Sequence, residues 1–362
     1  MRDQIFKKIL VSKLRHHGDV LLSAPLFSLL KKRFPDAQID AHIYKETLPM
    51  LQGHPAISNF LCVDKNWKKK GAFFRYFQEL KLLRQIKKGG YDLALNLTEG
   101  DRGAMACKVS GALIRVGFDP EKSGMRGKRK FYTHVARILH GERHTVERHF
   151  DVLRVIGIFP EANERELFFH IPEKARLKAM SLLSGAGIYP GRFTLIHPTS
   201  RWLFKCLPAS TMAALILELD KRGKKIVITS SPSPEEREMV SQILLRAPKM
   251  DLLDLSGKTT LKELGALIEM SEHLITVDSL PLHISSAFKK PVLAIFGPTS
   301  EKSWAPWQNP YARVVTKQMP CRPCYMPGCG GSEKSDCLES LDVQEILRAF
   351  DSIDQSLNSS PK

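Results

Sequence analysis

The strongest constraint on the fold of this chain is a regular alternation of short apolar runs and amphipathic stretches. In the second half, runs rich in Ile, Leu, Val and Phe are separated by stretches with apolar residues at helical spacing. Strands that alternate with helices form a parallel sheet with helices on both faces. The predicted strands are 193–196, 225–229, 252–255, 274–277 and 292–296.

The first half shows the same alternation less cleanly, with predicted strands at 9–11, 39–44 and 93–97. The basic stretches 65–70 and 124–130 are predicted to be exposed loops. A chain of 362 residues is long enough for two domains, and a boundary is predicted between Phe169 and Lys174. We therefore expect an α/β protein with two Rossmann-like, doubly wound domains facing across a cleft. The domains are 1–170 and 171–340, and the helix and tail at 341–362 are expected to pack back on the N-terminal domain.

Positive charge is concentrated in the first part of the chain. Residues 1–150 carry 29 basic and 14 acidic side chains, a net charge of +15, whereas residues 151–362 carry 26 and 24, a net charge of +2. Such an asymmetry indicates an anionic partner. A nucleic acid is one alternative, but no recognition-helix motif and no aromatic stacking sequence supports it.

The sequence also indicates a location. The early apolar run 20–30 is about half the roughly 20 residues that a membrane span needs. Basic residues interrupt the apolar stretch that a secretory signal would require. We expect a cytoplasmic protein, and seven cysteines in that compartment favour reduced thiols over a disulfide framework.

The first segment with chemical potential is Lys13-Leu-Arg-His-His-Gly-Asp19, which joins a strand to a helix. Gly18 permits a tight turn, and the Asp19 carboxylate could accept a proton from a substrate hydroxyl. The alternative is that Asp19 merely caps the helix, and the spacing alone favours capping.

Two further segments follow predicted strands in the second half. In His197-Pro-Thr-Ser-Arg-Trp-Leu-Phe-Lys205, the hydroxyls of Thr199 and Ser200 could hold a phosphate and Lys205 could neutralise it. The alternative is an ordinary polar loop with a solvated lysine. In Val277-Asp-Ser-Leu-Pro-Leu-His283, Asp278, Ser279 and His283 share a strand end, so a pocket is at least as well supported as a purely structural histidine.

A Gly- and Pro-rich stretch carries Cys321, Cys324, Cys329 and Cys337. Four thiols this close could hold a structural zinc ion, but the spacing is irregular, and reduced cysteines in a compact loop are the favoured interpretation. The chain has no phosphate-loop motif, no dinucleotide fingerprint and no Asp-x-Asp pair. A bound diphosphate would therefore have to be neutralised by lysine, hydroxyls and helix ends.

Taken together, these segments resemble glycosyltransferase family 9, the lipopolysaccharide heptosyltransferases, from Lys8 to about Trp307. The first loop and the segment Phe204-Lys205-Cys206 are similar to the heptosyltransferase III branch. The markers are Gly18-Asp19, His197-Pro-Thr-Ser200, Asp254-Leu-Ser-Gly-Lys-Thr259, Asp278-Ser279 with Pro281 and His283, and Phe296-Gly-Pro-Thr299.

The resemblance implies a GT-B fold and an inverting, metal-independent transfer of heptose from ADP-L-glycero-D-manno-heptose to a heptose of the lipopolysaccharide inner core. The N-terminal domain takes the acceptor and the C-terminal domain the donor. Asp19 matches the general base, and Glu235 or Glu236 matches a ribose-binding carboxylate. Leu280 departs from the glycine that many relatives have. The other donor-binding residues implied are Thr199, Ser200, Lys205, Asp278, Ser279 and His283, and the predicted acceptor contacts are Lys13, Arg15, His17 and Arg102.

The sequence leaves alternatives open. The chain could be heptosyltransferase I or II, or a related enzyme that uses another nucleotide sugar, such as an epimerase on the same fold. The expected partners are ADP-heptose, phosphorylated inner-core lipopolysaccharide and an anionic membrane surface, without nucleic acid. The expected location is peripheral, on the cytoplasmic face of the inner membrane of a Gram-negative bacterium.

Overall fold

A computed structural model describes residues 5–121, 123–137, 143–248 and 250–359. The chain divides into two compact units, Met1–His170 and Ile171–Lys362. Each unit contains one parallel sheet of six strands.

The strands of the first unit are β1 (Lys8–Lys13), β2 (Gln38–Tyr44), β3 (Asn59–Val63), β4 (Leu93–Asn96), β5 (Ile114–Phe118) and β6 (His134–Ala136). Its helices are α1 (His17–Leu21), α2 (Ala24–Arg33), α3 (Ala72–Lys88), α4 (Asp101–Ser110) and α5 (Thr145–Arg154). Short 3-10 helices occupy Lys45–Met50, Lys65–Lys70, Lys128–Phe131 and Ala162–Glu164.

The first sheet has the order β3-β2-β1-β4-β5-β6, and every neighbouring pair is parallel. β4 is buried along its whole length and β1 along all but its first residue, because helices cover both faces of the sheet. The strand order reverses between β1 and β4. In sheets of this type, ligands bind beyond the carboxyl ends of the strands at that point.

The strands of the second unit are β7 (Thr194–His197), β8 (Ile226–Ile228), β9 (Leu252–Asp254), β10 (His273–Val277), β11 (Val292–Phe296) and β12 (Ala312–Thr316). Its helices are α6 (Glu173–Ser184), α7 (Ala209–Lys221), α8 (Pro234–Leu245), α9 (Leu261–Met270), α10 (Leu280–Ala287), α11 (Glu301–Trp304), α12 (Asp336–Glu339) and α13 (Val343–Ser359). Leu203–Lys205 and Cys329–Gly331 form 3-10 helices.

The second sheet repeats the topology of the first, with the order β12-β11-β10-β7-β8-β9 and parallel pairing throughout. Its reversal lies between β7 and β10. Both strands and the adjacent β11 are completely buried. Thr260 caps α9 and forms a capping box with Glu263, which explains why the helix begins there.

Helix α13 belongs to the core of the second unit. Its apolar face is buried there, against residues of α7, β11 and β12. That the segment 341–362 also packs back on the N-terminal domain stays a prediction. Residues 360–362 of the predicted tail lie outside the described residues. The buried residues on this face are Ile346, Leu347, Phe350 and Ile353.

The two basic stretches predicted as exposed loops also need correction, since each contains a 3-10 helix. Lys65–Lys70 is largely exposed, but Lys128 is buried, with its ammonium 2.6 Å from the carbonyl oxygen of Glu99. In the described part of the chain, no helix combines the length and the apolar character that a membrane crossing requires.

Candidate functional site

Two predicted donor-binding residues and a threonine from a marker segment meet at the carboxyl ends of the central strands of the second unit. Asp278 directly follows β10, Lys205 ends the 3-10 helix after β7, and Thr299 lies in the loop after β11. The Lys205 ammonium and the Thr299 hydroxyl both donate to Oδ2 of Asp278, each over 2.7 Å. The parallel topology brings them together, because the carboxyl ends of neighbouring strands share one edge of the sheet.

The ion pair between Lys205 and Asp278 is well shielded from water. The Lys205 side chain is 11% exposed and that of Asp278 is 6% exposed. The Lys205 ammonium also lies 5.0 Å from the centre of the Trp202 ring, within the range of a cation–π contact. The lysine is therefore held by both neighbours in one place, instead of being a solvated side chain.

A second pair links the loop after β7 to the start of α8. The Thr199 hydroxyl donates to Oε2 of Glu236 over 2.7 Å, and the backbone N–H of Ser231 donates to the same oxygen over 3.3 Å. Glu236 is buried, whereas Glu235 is exposed. The carboxylate that contacts the loop after β7 is that of Glu236, so of the two predicted alternatives the geometry favours Glu236, and the ribose-binding role stays a prediction.

The other predicted donor residues also lie at this edge. Ser200 is buried, and its hydroxyl accepts from the backbone N–H of Trp202 over 3.4 Å. Ser279 is the residue before α10, and its hydroxyl lies 3.2 Å from that of Thr276. His283 is buried in α10, with its ring centre 6.3 Å from that of Trp304. Leu280, the departure from many relatives, is the half-buried first residue of α10.

The segment that carries the cysteine cluster makes hydrogen bonds to these loops. The sequence did not predict this contact. The guanidinium of Arg322 donates to the carbonyl oxygens of Gly297 over 2.6 Å and Thr299 over 3.3 Å. The Ser335 hydroxyl donates to the carbonyl oxygen of Phe204 over 2.7 Å, next to Lys205. The only sequence signal was the position of Arg322 directly after Cys321, which does not identify its partners.

In the first unit, Asp19 lies in the first turn of α1 and is not its capping residue. The residue before the helix is His16, which makes no side-chain capping hydrogen bond. An Asp19 carboxylate oxygen lies 3.6 Å from the ammonium of Lys13, and the Asp19 side chain is one-fifth exposed. The geometry thus disfavours the capping interpretation and leaves Asp19 partly accessible beside a cation.

Lys13 ends β1 and is buried. Its ammonium donates to the carbonyl oxygen of Leu97 over 3.1 Å. Burial lowers the pKa of Lys13 to about 8, and the neighbouring Asp19 carboxylate opposes that change. Because its ammonium is enclosed, Lys13 can act on a ligand chiefly through Asp19.

The remaining predicted acceptor residues have different surroundings. Arg15 is half exposed and lies 3.9 Å from a carboxylate oxygen of Glu99. Arg148 approaches the other oxygen of Glu99 at 3.7 Å, an arrangement that the sequence did not reveal. His17 contacts the carbonyl oxygen of Glu46 at 2.9 Å, and Arg102 donates to Glu79 over 2.7 Å. Arg15 and Arg148 thus share one carboxylate, whereas Arg102 is engaged by helix α3.

All seven cysteines lie in the described part of the chain, and none forms a disulfide. Of the four in the C-terminal cluster, Cys337 is buried, Cys324 is partly buried, and Cys321 and Cys329 are exposed. Within residues 5–121, 123–137, 143–248 and 250–359, no group of three or more His, Cys, Asp or Glu side chains is placed to hold a metal ion.

Comparison with known families identifies the chain. Residues 79–331 match the model of glycosyltransferase family 9 (heptosyltransferase). The chain belongs to glycosyltransferase family 9. Family membership makes the protein a glycosyltransferase, which confirms the resemblance and excludes the epimerase alternative.

Individual family 9 relatives cover most of the chain. Lipopolysaccharide heptosyltransferase 3 of Escherichia coli is 34% identical over 298 residues, which span 82% of this chain and 85% of that protein. Lipooligosaccharide heptosyltransferase 2 of Campylobacter jejuni is 22% identical over 333 residues, which span 91% of this chain and 94% of that protein.

Solved structures confirm the fold. The family 9 glycosyl transferase from Veillonella parvula DSM 2008 matches with a TM-score of 0.81 and 24% identity, over 97% of this chain and 98% of that one. E. coli ADP-heptose lipopolysaccharide heptosyltransferase II matches with a TM-score of 0.75 and 21% identity, over 97% and 100%. The predicted GT-B fold is therefore confirmed.

Proposed function

We propose that this chain transfers heptose from ADP-L-glycero-D-manno-heptose to a heptose of the lipopolysaccharide inner core, as a heptosyltransferase III. The observation that carries the proposal is the 34% identity over most of both chains to a lipopolysaccharide heptosyltransferase 3. The geometry of the second unit is consistent with it, because a cation and several hydroxyls meet at the strand ends where such sheets bind nucleotides.

The donor diphosphate is proposed to bind at Lys205. An ammonium has three N–H donors, and those not directed at Asp278 can donate to phosphate oxygens. As ADP departs, negative charge grows on its phosphate, and a preorganised cation stabilises that charge. Thr199 and Ser200 supply hydroxyls from the loop that leads to the lysine. Glu236 is proposed to bind a ribose hydroxyl, since its carboxylate lies within hydrogen-bond distance of Thr199.

Asp19 is proposed to be the general base. Its carboxylate takes the proton from the acceptor hydroxyl as that oxygen attacks the anomeric carbon of the heptose, and the configuration at that carbon inverts. A base of this kind contributes roughly 10²–10⁴-fold to a rate. The Lys13 ammonium lies 3.6 Å from this carboxylate and is its charged neighbour.

The transfer is proposed to need no metal and no cofactor. Lys205 supplies a fixed positive charge for the leaving diphosphate, which is the task that a divalent cation performs in other nucleotide-sugar enzymes. Retention of turnover in excess EDTA is the expected result. Loss of turnover in EDTA, with recovery on addition of a divalent cation, would refute this part of the proposal.

The protein is proposed to work peripherally at the cytoplasmic face of the inner membrane of a Gram-negative bacterium. The net charge of +15 in residues 1–150 supports an anionic partner. Both the phosphorylated inner core and an anionic leaflet fit this description, because clustered Lys and Arg residues are attracted to anionic lipid surfaces.

The test is a transfer assay with ADP-heptose and a panel of truncated lipopolysaccharide acceptors that lack the first, second or third core heptose. We expect turnover only on the acceptor that lacks the third heptose, with the linkage read from the product. Turnover on either of the shorter acceptors would instead assign the chain to the heptosyltransferase I or II activity.

A further inference from the structure

Helix α3 of the first unit exposes a cluster of four aromatic side chains, which we call the aromatic surface: Phe73, Phe74, Tyr76 and Phe77. Phe73, Tyr76 and Phe77 are 76%, 62% and 48% exposed, and Phe74 is 36% exposed. The Phe73 and Phe77 rings pack edge to face with their centres 4.5 Å apart, and Tyr76 lies 6.0 Å from Phe77. Contiguous exposed apolar groups of this kind mark an interaction surface.

The aromatic surface lies on the side of α3 that faces away from the core. Leu82 and Ile86 are buried on the inner side. Residues spaced by three or four positions share one side of a helix, and the outer side continues beyond the aromatic rings as basic side chains. The exposed residues along this outer side are Phe73, Phe77, Lys81, Arg84 and Lys88.

The segment around the aromatic surface is strongly basic. Residues 65–88 contain nine Lys or Arg and one acidic residue, Glu79, which gives a net charge of +8. Lys68, Lys69 and Lys70 are exposed just before α3, and the Lys70 ammonium lies 5.2 Å from the centre of the Phe74 ring. The Glu79 carboxylate accepts from Arg75 over 2.8 Å and from Arg102 over 2.7 Å.

We propose that the aromatic surface of α3 docks on an anionic lipid bilayer, with its rings at the headgroup level and the surrounding lysines against the lipid headgroups. This inference rests on the membrane location proposed above and names the surface responsible. Aromatic side chains favour the membrane–water interface, and Lys and Arg extend their charged ends towards anionic headgroups. Helices with one apolar and one basic region bind membranes in this way.

The net positive charge of residues 65–88 favours an anionic bilayer over a second copy of the chain as the partner of the aromatic surface. A symmetric dimer through α3 would place two segments of net charge +8 against each other, and like charges in contact oppose association. An anionic bilayer accommodates both the rings and the lysines. The two contributions are separable, because salt screens the electrostatic attraction but not the burial of aromatic area.

The test is co-sedimentation of the full chain with phosphatidylcholine vesicles, with and without phosphatidylglycerol, at low salt and at about 0.5 M salt, where screening is strong. We expect binding that requires phosphatidylglycerol and that falls with salt but leaves a salt-resistant fraction. In the Phe73→Ser/Phe77→Ser variant, the salt-resistant partition coefficient should fall by about tenfold or more. The matched control Phe159→Ser, which removes another exposed Phe (62%) of the same unit, should bind as the wild type does.

Substitution of the lysines measures the electrostatic contribution separately from the aromatic one. A Lys68→Gln/Lys69→Gln/Lys70→Gln variant should lose most of the binding at low salt while retaining the aromatic contribution. Wild-type binding by both variants, or no binding of the wild type to phosphatidylglycerol vesicles, would overturn the proposal. It would also be overturned if Phe73→Ser/Phe77→Ser converted a dimer to a monomer in sedimentation velocity and left vesicle binding unchanged.

A parallel transfer assay keeps this inference distinct from the proposed function. Phe73→Ser/Phe77→Ser should use a water-soluble, delipidated core oligosaccharide as the wild type does, and should lose turnover on acceptor embedded in vesicles. If the wild type binds vesicles but transfers heptose to no acceptor, the proposed function fails and the docking surface stands. If transfer occurs and the α3 variants bind vesicles normally, the docking surface fails and the function stands.

Discussion

The ammonium of Lys205 donates to a carboxylate oxygen of Asp278 over 2.7 Å, although the two residues are 73 positions apart in the chain. The Thr299 hydroxyl donates to the same oxygen. The pair fixes the position of a positive charge at the carboxyl edge of the second sheet, where a departing diphosphate needs it. Removal of either partner leaves a poorly compensated charge at a shielded site.

The first prediction concerns Lys205. Lys205→Ala should weaken ADP binding and lower kcat by about 10²–10³-fold, because the fixed cation near the leaving group is lost. The measurement is steady-state kinetics with ADP-heptose, together with calorimetric titration of ADP. Lys221→Ala, which removes an exposed lysine of the same unit, is the control and should leave both values unchanged. Wild-type kinetics in Lys205→Ala would refute the phosphate contact.

The second prediction concerns the coupling between Lys205 and Asp278. Residues in direct contact show non-additive effects on mutation, with coupling of about 0.5–3 kcal/mol. The Lys205→Met/Asp278→Asn double variant should therefore lose less transition-state stabilisation than the two single variants together. A double-mutant cycle on kcat/KM measures this difference, and purely additive losses would show that the ion pair has no functional role.

The third prediction concerns Asp19. Asp19→Asn keeps the shape of the side chain but cannot accept a proton as a carboxylate does, so turnover should fall by about 10²–10⁴-fold with a normal fold. Circular dichroism monitors the fold, and labelled heptose transfer monitors turnover. Asp36→Asn changes an exposed aspartate of the same unit and should be silent. Full activity of Asp19→Asn would remove Asp19 from the role of base.

The fourth prediction separates two adjacent carboxylates. Glu236→Gln should raise the KM for ADP-heptose by about tenfold or more, since a hydrogen bond to a charged group contributes roughly 1.5–3 kcal/mol. Glu235→Gln should have no effect, because Glu235 is exposed. The comparison uses donor-saturation curves for both variants. A larger rise in KM for Glu235→Gln than for Glu236→Gln would assign the ribose contact to Glu235.

The fifth prediction concerns acid stability. His42 is buried with Nδ1 3.0 Å from the Ser12 hydroxyl, and burial lowers its pKa to about 4. Between pH 6.5 and 4 the unfolded chain binds a proton at this position and the folded chain does not, so stability is lost as the pH falls through that window. His42→Gln should flatten the pH dependence of the unfolding free energy by up to about 1.4 kcal/mol per pH unit. An unchanged slope would contradict the assignment.

Sequence patterns predicted the central strands of each sheet but missed several outer ones. β3, β6 and β12 are edge strands, and the missed β5 lies next to an edge. Central strands of a parallel sheet are buried on both faces and therefore read as continuous apolar runs. β12 is only partly buried and includes Arg313, so its sequence lacks that signal. β6 has only three residues, too few for a periodic pattern.

The candidate site was predictable where a residue follows a strand directly, as Asp278 does. Contacts between residues that are distant in the sequence were not predictable. The choice between Glu235 and Glu236 depends on the rotational phase of α8, which is known only once its first residue, Pro234, is placed. The support of the β11 loop by Arg322 depends on how a Gly- and Pro-rich segment returns to the sheet, and no periodicity encodes that path.

The most direct test of the proposed function is the mass of the acceptor after incubation with ADP-heptose and the purified wild-type chain in excess EDTA. The acceptor is inner-core lipopolysaccharide that lacks only its third heptose. We predict a gain of one heptose, formed with inversion at the anomeric carbon, and no gain with Asp19→Asn. No gain by the wild type, or an equal gain by Asp19→Asn, would contradict it.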